Sequence, residues 1–163
     1  MSKFKIFAIC CLLSITSCGF HLRGVGGEVR SLPYQVWKIE QTQGLEEYLH
    51  DELKRHSVQI VHKNDAPAAE IRLLQFERGR DVGTLSRIGT VSEYLFTLRV
   101  AAQVSYQGVD VGEPIAVSLN RRQSYADNDL FGKQLEEEVL WQDMYQEAAK
   151  QIVRRLPYIQ ANQ

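Results

Sequence analysis

The chain has 163 residues, of which 44% are hydrophobic and 24% are charged, with 11 glycines and 4 prolines. These proportions argue against a disordered chain, a collagen-like repeat, a coiled coil and a polytopic membrane protein, and the length indicates one globular domain. The formal net charge is −1, so no overall basic field attracts nucleic acid, and we predict no nucleic-acid partner.

The amino terminus has the three-part order of a secretory signal. Lys3 and Lys5 form a short positive region, an apolar run follows over residues 6–13, and small or polar residues then lead to Cys18. The apolar run is too short to cross a bilayer as a stable helix. The alternative, an amphipathic first helix of the folded domain, is disfavoured because the run has no polar face. We therefore predict a lipoprotein signal peptide over residues 1–17.

The residues before Cys18 resemble the lipobox of bacterial lipoproteins, with an aliphatic residue at position −3 and a small residue at −1. The resemblance implies cleavage before Cys18 and attachment of a diacylglycerol to its thiol. The new amino group is then a site for a third acyl chain. Two or more acyl chains hold a protein stably at a membrane. In lipoproteins of this type, an aspartate directly after the cysteine resembles a signal for retention in the inner membrane. This chain has Gly19 at that position, which indicates the outer membrane.

The remaining chain divides into a lipidated tether over residues 18–33, rich in glycine, and a single domain over residues 34–163. Four long strands and two helices are expected in the domain. The strands are predicted at 34–40, 70–80, 91–106 and 115–125, with a short additional strand possible at 58–61, and the helices at 44–57 and from 129 or 130 to 156.

Apolar periodicity supports both helices and the third strand. Leu45, Leu49 and Leu53 recur at i, i+4 and i+8, which predicts one stripe of an amphipathic helix, and Pro157 ends the second helix. In the strand at 91–106, even-numbered residues from 94 to 106 are apolar or aromatic and share one face. The other helix stripe is Trp141, Tyr145, Ala148, Ile152 and Leu156, and the strand's opposite face is Thr97, Arg99, Gln103 and Ser105.

Strands and helices of this kind can bury their apolar faces against each other. The economical arrangement is an α+β, two-layer sandwich with two α-helices packed on one face of a mainly antiparallel, four-stranded (mixed) β-sheet.

Motifs for catalysis or metal binding are absent from the sequence. The four histidines form no HExxH motif, no cysteine remains to join them, and no GxSxG motif occurs. The glycines at 24–27 precede no helix and are interpreted as tether. A Ser-His-Asp site assembled from distant residues stays open at this point. We predict a protein that is not an enzyme, with no catalytic residues, no metal and no cofactor.

Basic residues concentrate near the predicted strand ends. One group brackets the turn between the second and third strands, and another follows the end of the fourth. Arginine forks bind phosphate or carboxylate bidentately, and lysine adds a point charge, so their convergence would create a local cationic edge. The alternative is a scatter of solvated surface charges. The candidate residues are Arg78, Arg80, Arg87, Arg121, Arg122 and Lys133.

The chain resembles the LptE family of lipopolysaccharide-assembly lipoproteins, also called rare lipoprotein B. The most specific part is CGFHLRG (18–24), directly after the lipobox. The likeness continues at Arg87-Ile88-Gly89, Glu93-Tyr94, Met144-Tyr145, Ala148-Ala149, Gln151 and Leu156-Pro157. The tail ends six residues after Pro157, where some members extend further, and Phe20 stands where others have tryptophan.

The resemblance implies a non-enzymatic role in the outer membrane. Members sit inside the lumen of a β-barrel partner, LptD, assist its assembly, and bind lipopolysaccharide during delivery to the cell surface. The family's proposed ligand-contacting basic positions match Arg87 and Lys133. The expected partners are therefore an LptD-like barrel, lipopolysaccharide, and outer-membrane lipid through acylated Cys18. The alternatives are another outer-membrane lipoprotein that acts as an envelope scaffold or assembly factor without glycolipid binding, and a lipid-anchored hydrolase.

Overall fold

Five strands and two helices make up the described part of the chain. In the computed structural model this part comprises residues 31–40, 42–62, 67–124 and 130–159. The elements in chain order are β1 (Val36–Glu40), α1 (Glu46–Lys54), β2 (Gln59–Ile60), β3 (Ala69–Leu85), β4 (Val91–Tyr106), β5 (Val109–Ser124) and α2 (Leu130–Arg155), with a final 3-10 turn at Leu156–Tyr158.

The predicted signal peptide, Cys18 and the CGFHLRG motif lie outside the described residues, as does most of the predicted tether. Within residues 31–33, Leu32 is buried and belongs to the hydrophobic core. No helix in the described part of the chain is long and apolar enough to span a membrane.

The strands form one mixed sheet in the order β2-β1-β3-β4-β5. The short strand β2 and the central strand β3 both run parallel to β1, whereas β3, β4 and β5 form an antiparallel meander. The predicted α+β sandwich is confirmed, with a correction to the strand count. The sheet has five strands because residues 59–60 add a short edge strand beside β1.

Two strands are longer than the sequence predicts. The segment 81–85 was expected in a turn but continues β3, and β5 starts at Val109 instead of Ile115. Glycines explain both differences, because Gly83 and Gly112 give the signal of a turn when the sequence is considered alone. Both lie within strands beside register shifts, where an extra residue bends the strand, and glycine tolerates that geometry.

The core lies between the sheet and the helices. Leu49 and Leu53 of α1 are fully buried, and Phe96 of β4 meets Trp141 of α2 edge to face, with ring centroids 5.4 Å apart. The long helix α2 runs back along β5, because Gln123 contacts Glu136 near the start of α2 while Arg155 contacts the Ala116 carbonyl near its end. Both helices therefore cover the face that carries the even-numbered residues of β4.

The opposite face of β4 is only partly open to solvent. Gln103 and Ser105, which lie on the face opposite the even-numbered residues, are buried. The Gln103 amide nitrogen donates to the carbonyl oxygens of Val104, Val111 and Gly112 at 2.9, 3.3 and 3.3 Å. Gln103 lies in the irregular stretch of the β4–β5 pairing, where its amide satisfies backbone carbonyls that the ladder leaves without a partner.

Candidate functional site

The strand register brings most of the predicted basic residues to one end of the sheet. Glu93, near the start of β4, pairs with Thr84 at the end of β3 and with Ser124 at the end of β5. The start of α2 lies beside the same end, since Gln123 of β5 donates to Glu136. We call this region the hairpin end, and it comprises residues 78–94, 121–124 and 132–137.

Arg87 lies at the outermost point of the hairpin end, in the turn between β3 and β4. The Gly89 amide donates to the Ser86 carbonyl at 3.0 Å, which closes a four-residue turn with Arg87 and Ile88 at its centre. Gly89 has a φ of +83°, a conformation that favours glycine. Arg87 is exposed, and it forms no ion pair with any residue in the described ranges. Within the described residues, its guanidinium is thus available to an external anion.

Lys133 lies near the start of α2 and is partly buried. Its Nζ is 2.7 Å from Oε2 of Glu136, three residues later on the helix. The same Glu136 oxygen accepts a hydrogen bond from Gln123 of β5 at 3.1 Å. Lys133 is thus held beside the end of β5, and an anion approaching it would compete with Glu136.

Arg80 connects β3 to α2. Its guanidinium carbon lies 3.9 Å from the ring centroid of Tyr94, and its Nη1 is 3.2 Å from a Glu137 carboxylate oxygen. The stacking and the ion pair together hold the guanidinium over the sheet face that α2 covers. The outer part of the β3–β4 hairpin, residues 81–94, is called the arm. The Arg80 contacts connect the base of the arm to the first half of α2.

Arg78 makes a similar connection two residues deeper in the sheet. It donates to the Tyr145 hydroxyl at 3.0 Å and lies 5.4 Å from the Trp141 ring centroid. The pKa of Arg78 is raised above its ordinary value, chiefly by the hydrogen bond to Tyr145. The guanidinium therefore stays charged, and its donors are partly used within the protein.

Arg121 and Arg122 are neighbours in β5, and the register places them on opposite faces. Arg121 pairs with Phe96 on the helix-covered face and donates to the Asn120 carbonyl. Arg122 pairs with Leu95 on the other face, where its Nη1 is 3.2 Å from a carboxylate oxygen of Glu93. The two guanidinium groups cannot form one binding fork, because adjacent strand residues point to opposite sides.

The basic residues do converge at one end of the sheet, as expected for a cationic edge. Their charges, however, are distributed over both faces of the sheet. Three acidic residues pair with these basic groups and neutralise several of the charges, a pairing that was not predicted: Glu93, Glu136 and Glu137. The Lys133–Glu136 pair could have been found from its i, i+3 spacing. The other two pairs depend on strand register and helix placement. Arg87 is the member of the predicted set with the greatest freedom to bind a ligand.

The described residues contain no group of three or more histidine, cysteine, aspartate or glutamate side chains that could hold a metal ion. The guanidinium and ammonium groups of the hairpin end can bind anions.

Comparisons with known proteins agree with the sequence resemblance. A family model described as LptE, lipopolysaccharide-assembly, matches residues 35–156. The chain is 31% identical over 158 residues to the LPS-assembly lipoprotein LptE of Pectobacterium atrosepticum, covering 93% of this chain and 83% of that protein. It is 33% identical over 156 residues to the protein of the same name in Yersinia enterocolitica, covering 92% and 73%.

Solved structures share the fold. The solution structure of lipoprotein B from Nitrosomonas europaea aligns with a TM-score of 0.69 and 28% identity, covering 85% of this chain and 90% of that one. The crystal structure of a minor lipoprotein from Acinetobacter baumannii aligns with a TM-score of 0.66 and 24% identity, covering 81% and 98%, which is evidence of fold alone. The predicted family resemblance is confirmed: the chain belongs to the LptE family of lipopolysaccharide-assembly lipoproteins.

Proposed function

We propose that this protein is an outer-membrane lipoprotein that plugs and helps assemble an LptD-like β-barrel and binds lipopolysaccharide during its delivery to the cell surface. Family membership supports the assembly role. The observation that carries the binding role is the exposed Arg87, held at the centre of a hydrogen-bonded turn. In this proposal the protein is not an enzyme, and it is anchored to outer-membrane lipid through acylated Cys18.

The chemistry of the ligand suits the hairpin end. Lipopolysaccharide carries phosphates and acidic sugars close together, and divalent cations bridge them between neighbouring molecules. Arg87 can form bidentate hydrogen bonds to one phosphate, and its planar guanidinium loses less entropy per hydrogen bond than a lysine ammonium does. Such a contact could replace a bridging cation and separate one lipopolysaccharide molecule from its aggregate.

Lys133 is the second proposed contact, and its position gives it a different character. Its ammonium group is already paired with Glu136 in the free protein. A ligand phosphate must therefore displace that carboxylate, so we expect Lys133 to contribute less binding free energy than Arg87. Arg78 and Arg80 connect the sheet to α2, and we propose that they support the site more than they contact the ligand.

The test uses the chain without its lipid anchor. It compares two double variants that have equal changes in charge. Arg87→Glu with Lys133→Glu alters the proposed site, whereas Lys54→Glu with Arg154→Glu alters exposed positions on α1 and α2 away from it. Charge-assisted contacts contribute about 1.5–3 kcal/mol each, so the site variant should bind purified lipopolysaccharide at least tenfold more weakly. The control should bind within a factor of three of the wild type, and binding should weaken as salt concentration rises.

Equal binding by the two variants, with both shown to be folded by circular dichroism, would contradict the assignment of the site. In that case the function would rest on contact with the barrel alone, as expected for an assembly factor without a glycolipid ligand. The barrel itself is tested by extracting the full-length protein from membranes and identifying its tight partner by mass. The same sample tests acylation, because its intact mass should correspond to a chain that starts at Cys18 with added acyl groups.

A further inference from the structure

The hairpin end carries exposed apolar side chains beside its free arginine. We infer that Ile88 and Leu85 contact the acyl chains of the same glycolipid molecule whose phosphate Arg87 binds. The inference rests on the proposed function, and it names the part of the ligand that the turn recognises. The hairpin tip, defined here as residues 85–90, is thereby an amphiphile-binding element and not a binding site for phosphate alone.

Exposure is the first observation. Ile88 is 86% exposed and Leu85 is 57% exposed, whereas every other isoleucine in the described ranges is buried or half-buried. A single apolar side chain on a protein surface is ordinary. Here two such side chains flank Arg87, an exposed cation that forms no ion pair with the described residues. The tip therefore offers apolar surface and positive charge within four consecutive residues.

Rigidity of the turn is the second observation. The Ser86 amide donates to the Thr90 carbonyl at 2.7 Å, the two hydroxyl groups of these residues lie 2.7 Å apart, and the Thr90 amide contacts the Ser86 hydroxyl at 3.2 Å. Together with the Gly89 hydrogen bond, these contacts fix the backbone on both sides of Arg87 and Ile88. The turn cannot fold Ile88 back onto the protein without breaking them, so its apolar surface stays available to a ligand.

The ligand class follows from this combination. A free phosphate or a water-soluble polyanion would satisfy Arg87 and leave Ile88 in water. An anionic glycolipid presents phosphate groups on the sugars that carry its acyl chains, so one molecule can reach both neighbours. Burying Ile88 and Leu85 against acyl chains removes their apolar surface from water, and the flanking arginine stays at the boundary with the headgroup.

The experiment measures binding of the full chain to two forms of one ligand. The first form is intact lipopolysaccharide, and the second is the same material stripped of its acyl chains with its phosphates retained. The tip variant combines Leu85→Gln with Ile88→Thr. The control combines Leu74→Gln with Val109→Thr, which removes apolar side chains that are 51% and 68% exposed at the other end of the sheet.

We expect the wild type and the control to bind the intact form at least tenfold more tightly than the stripped form. The tip variant should lose most of this preference by binding the intact form about tenfold more weakly, while its affinity for the stripped form stays within a factor of two. Thermal unfolding should be nearly unchanged in both variants, because the substituted side chains are exposed.

Several results would overturn the inference. If the wild type binds both forms equally and Arg87→Glu weakens both, the phosphate site stands and acyl recognition is wrong. If the tip variant binds both forms as the wild type does but recovers less barrel partner from membranes, the apolar tip contacts protein instead of lipid. If the wild type binds neither form, the proposed lipopolysaccharide-binding function fails, and the inference fails with it.

Discussion

The two ends of β3 show how one strand can be held in place by different forces. At its start, Ala69, Ile71 and Leu73 are buried between the sheet and the helices. From Asp81 to Leu85 every residue is exposed, although the same strand still pairs with β4. The first half is fixed by removal of apolar surface from water, and the second half is fixed by backbone hydrogen bonds and a closed turn.

Arg78 and Arg80 mark the boundary between these halves. They are the last residues of β3 that contact α2, through Tyr145, Trp141 and Glu137. Beyond them, residues 81–85 form no hydrogen bond or ion pair with α2 in the described part of the chain, and strand pairing and the turn hold their conformation. Regions with few buried contacts carry little of a domain's stability and are available for binding. The comparison therefore predicts that stability and binding separate along one strand.

The largest effect should come from two isoleucines at opposite extremes of burial. Ile152→Ala on α2 removes a fully buried side chain and leaves a cavity, which should lower the free energy of unfolding by about 2–5 kcal/mol. Ile88→Ala at the hairpin tip removes an exposed side chain and should change it by less than about 0.5 kcal/mol. Urea denaturation of both variants measures the difference. Similar losses would mean that the tip is packed against something and that the two-part description of β3 is wrong.

Two substitutions on the same face of β4 should lower the free energy of unfolding by different amounts. The difference tests whether position along the strand, and not the face alone, determines the cost. Gln103→Leu removes the donor for three backbone carbonyls and should cost about 1–3 kcal/mol. Thr97→Val, on the same face of β4 but closer to the hairpin end, should cost less than about 0.5 kcal/mol. If both substitutions cost equally little, water can replace the Gln103 amide, and position along the sheet does not decide the cost.

Much of the fold was predictable because apolar periodicity carries it. The stripe of Leu45, Leu49 and Leu53 predicted α1, and the alternation of β4 predicted which face meets the helices. Strand length was less predictable. Gly83 and Gly112 give the same local signal in a turn as in a bulge, and only pairing with a neighbouring strand separates the two cases.

The sequence predicted where the basic residues of the candidate site converge. It did not predict which face each side chain occupies or which residue it pairs with. Convergence of strand ends follows from an antiparallel meander, so the grouping of Arg87 with the end of β5 was expected. The faces of Arg121 and Arg122 and the partners of Arg80 depend on register and on how α2 crosses the sheet. Those features are set by tertiary packing, which one sequence does not encode locally.

The smallest expected effect on stability is that of the ion pair between Arg80 and Glu137 at the boundary between the two halves of β3. A double-mutant cycle with Arg80→Gln and Glu137→Gln should give a coupling energy of about 0.2–1 kcal/mol, because these side chains are 40% and 27% exposed and solvent screens the pair. Arg80→Gln alone should cost more than Glu137→Gln alone, since it also loses the stacking on Tyr94. Thermal or urea unfolding of the four proteins gives all three quantities. A coupling energy of zero would mean that strand pairing alone holds the arm, and the start of α2 would then be free to move relative to Arg87.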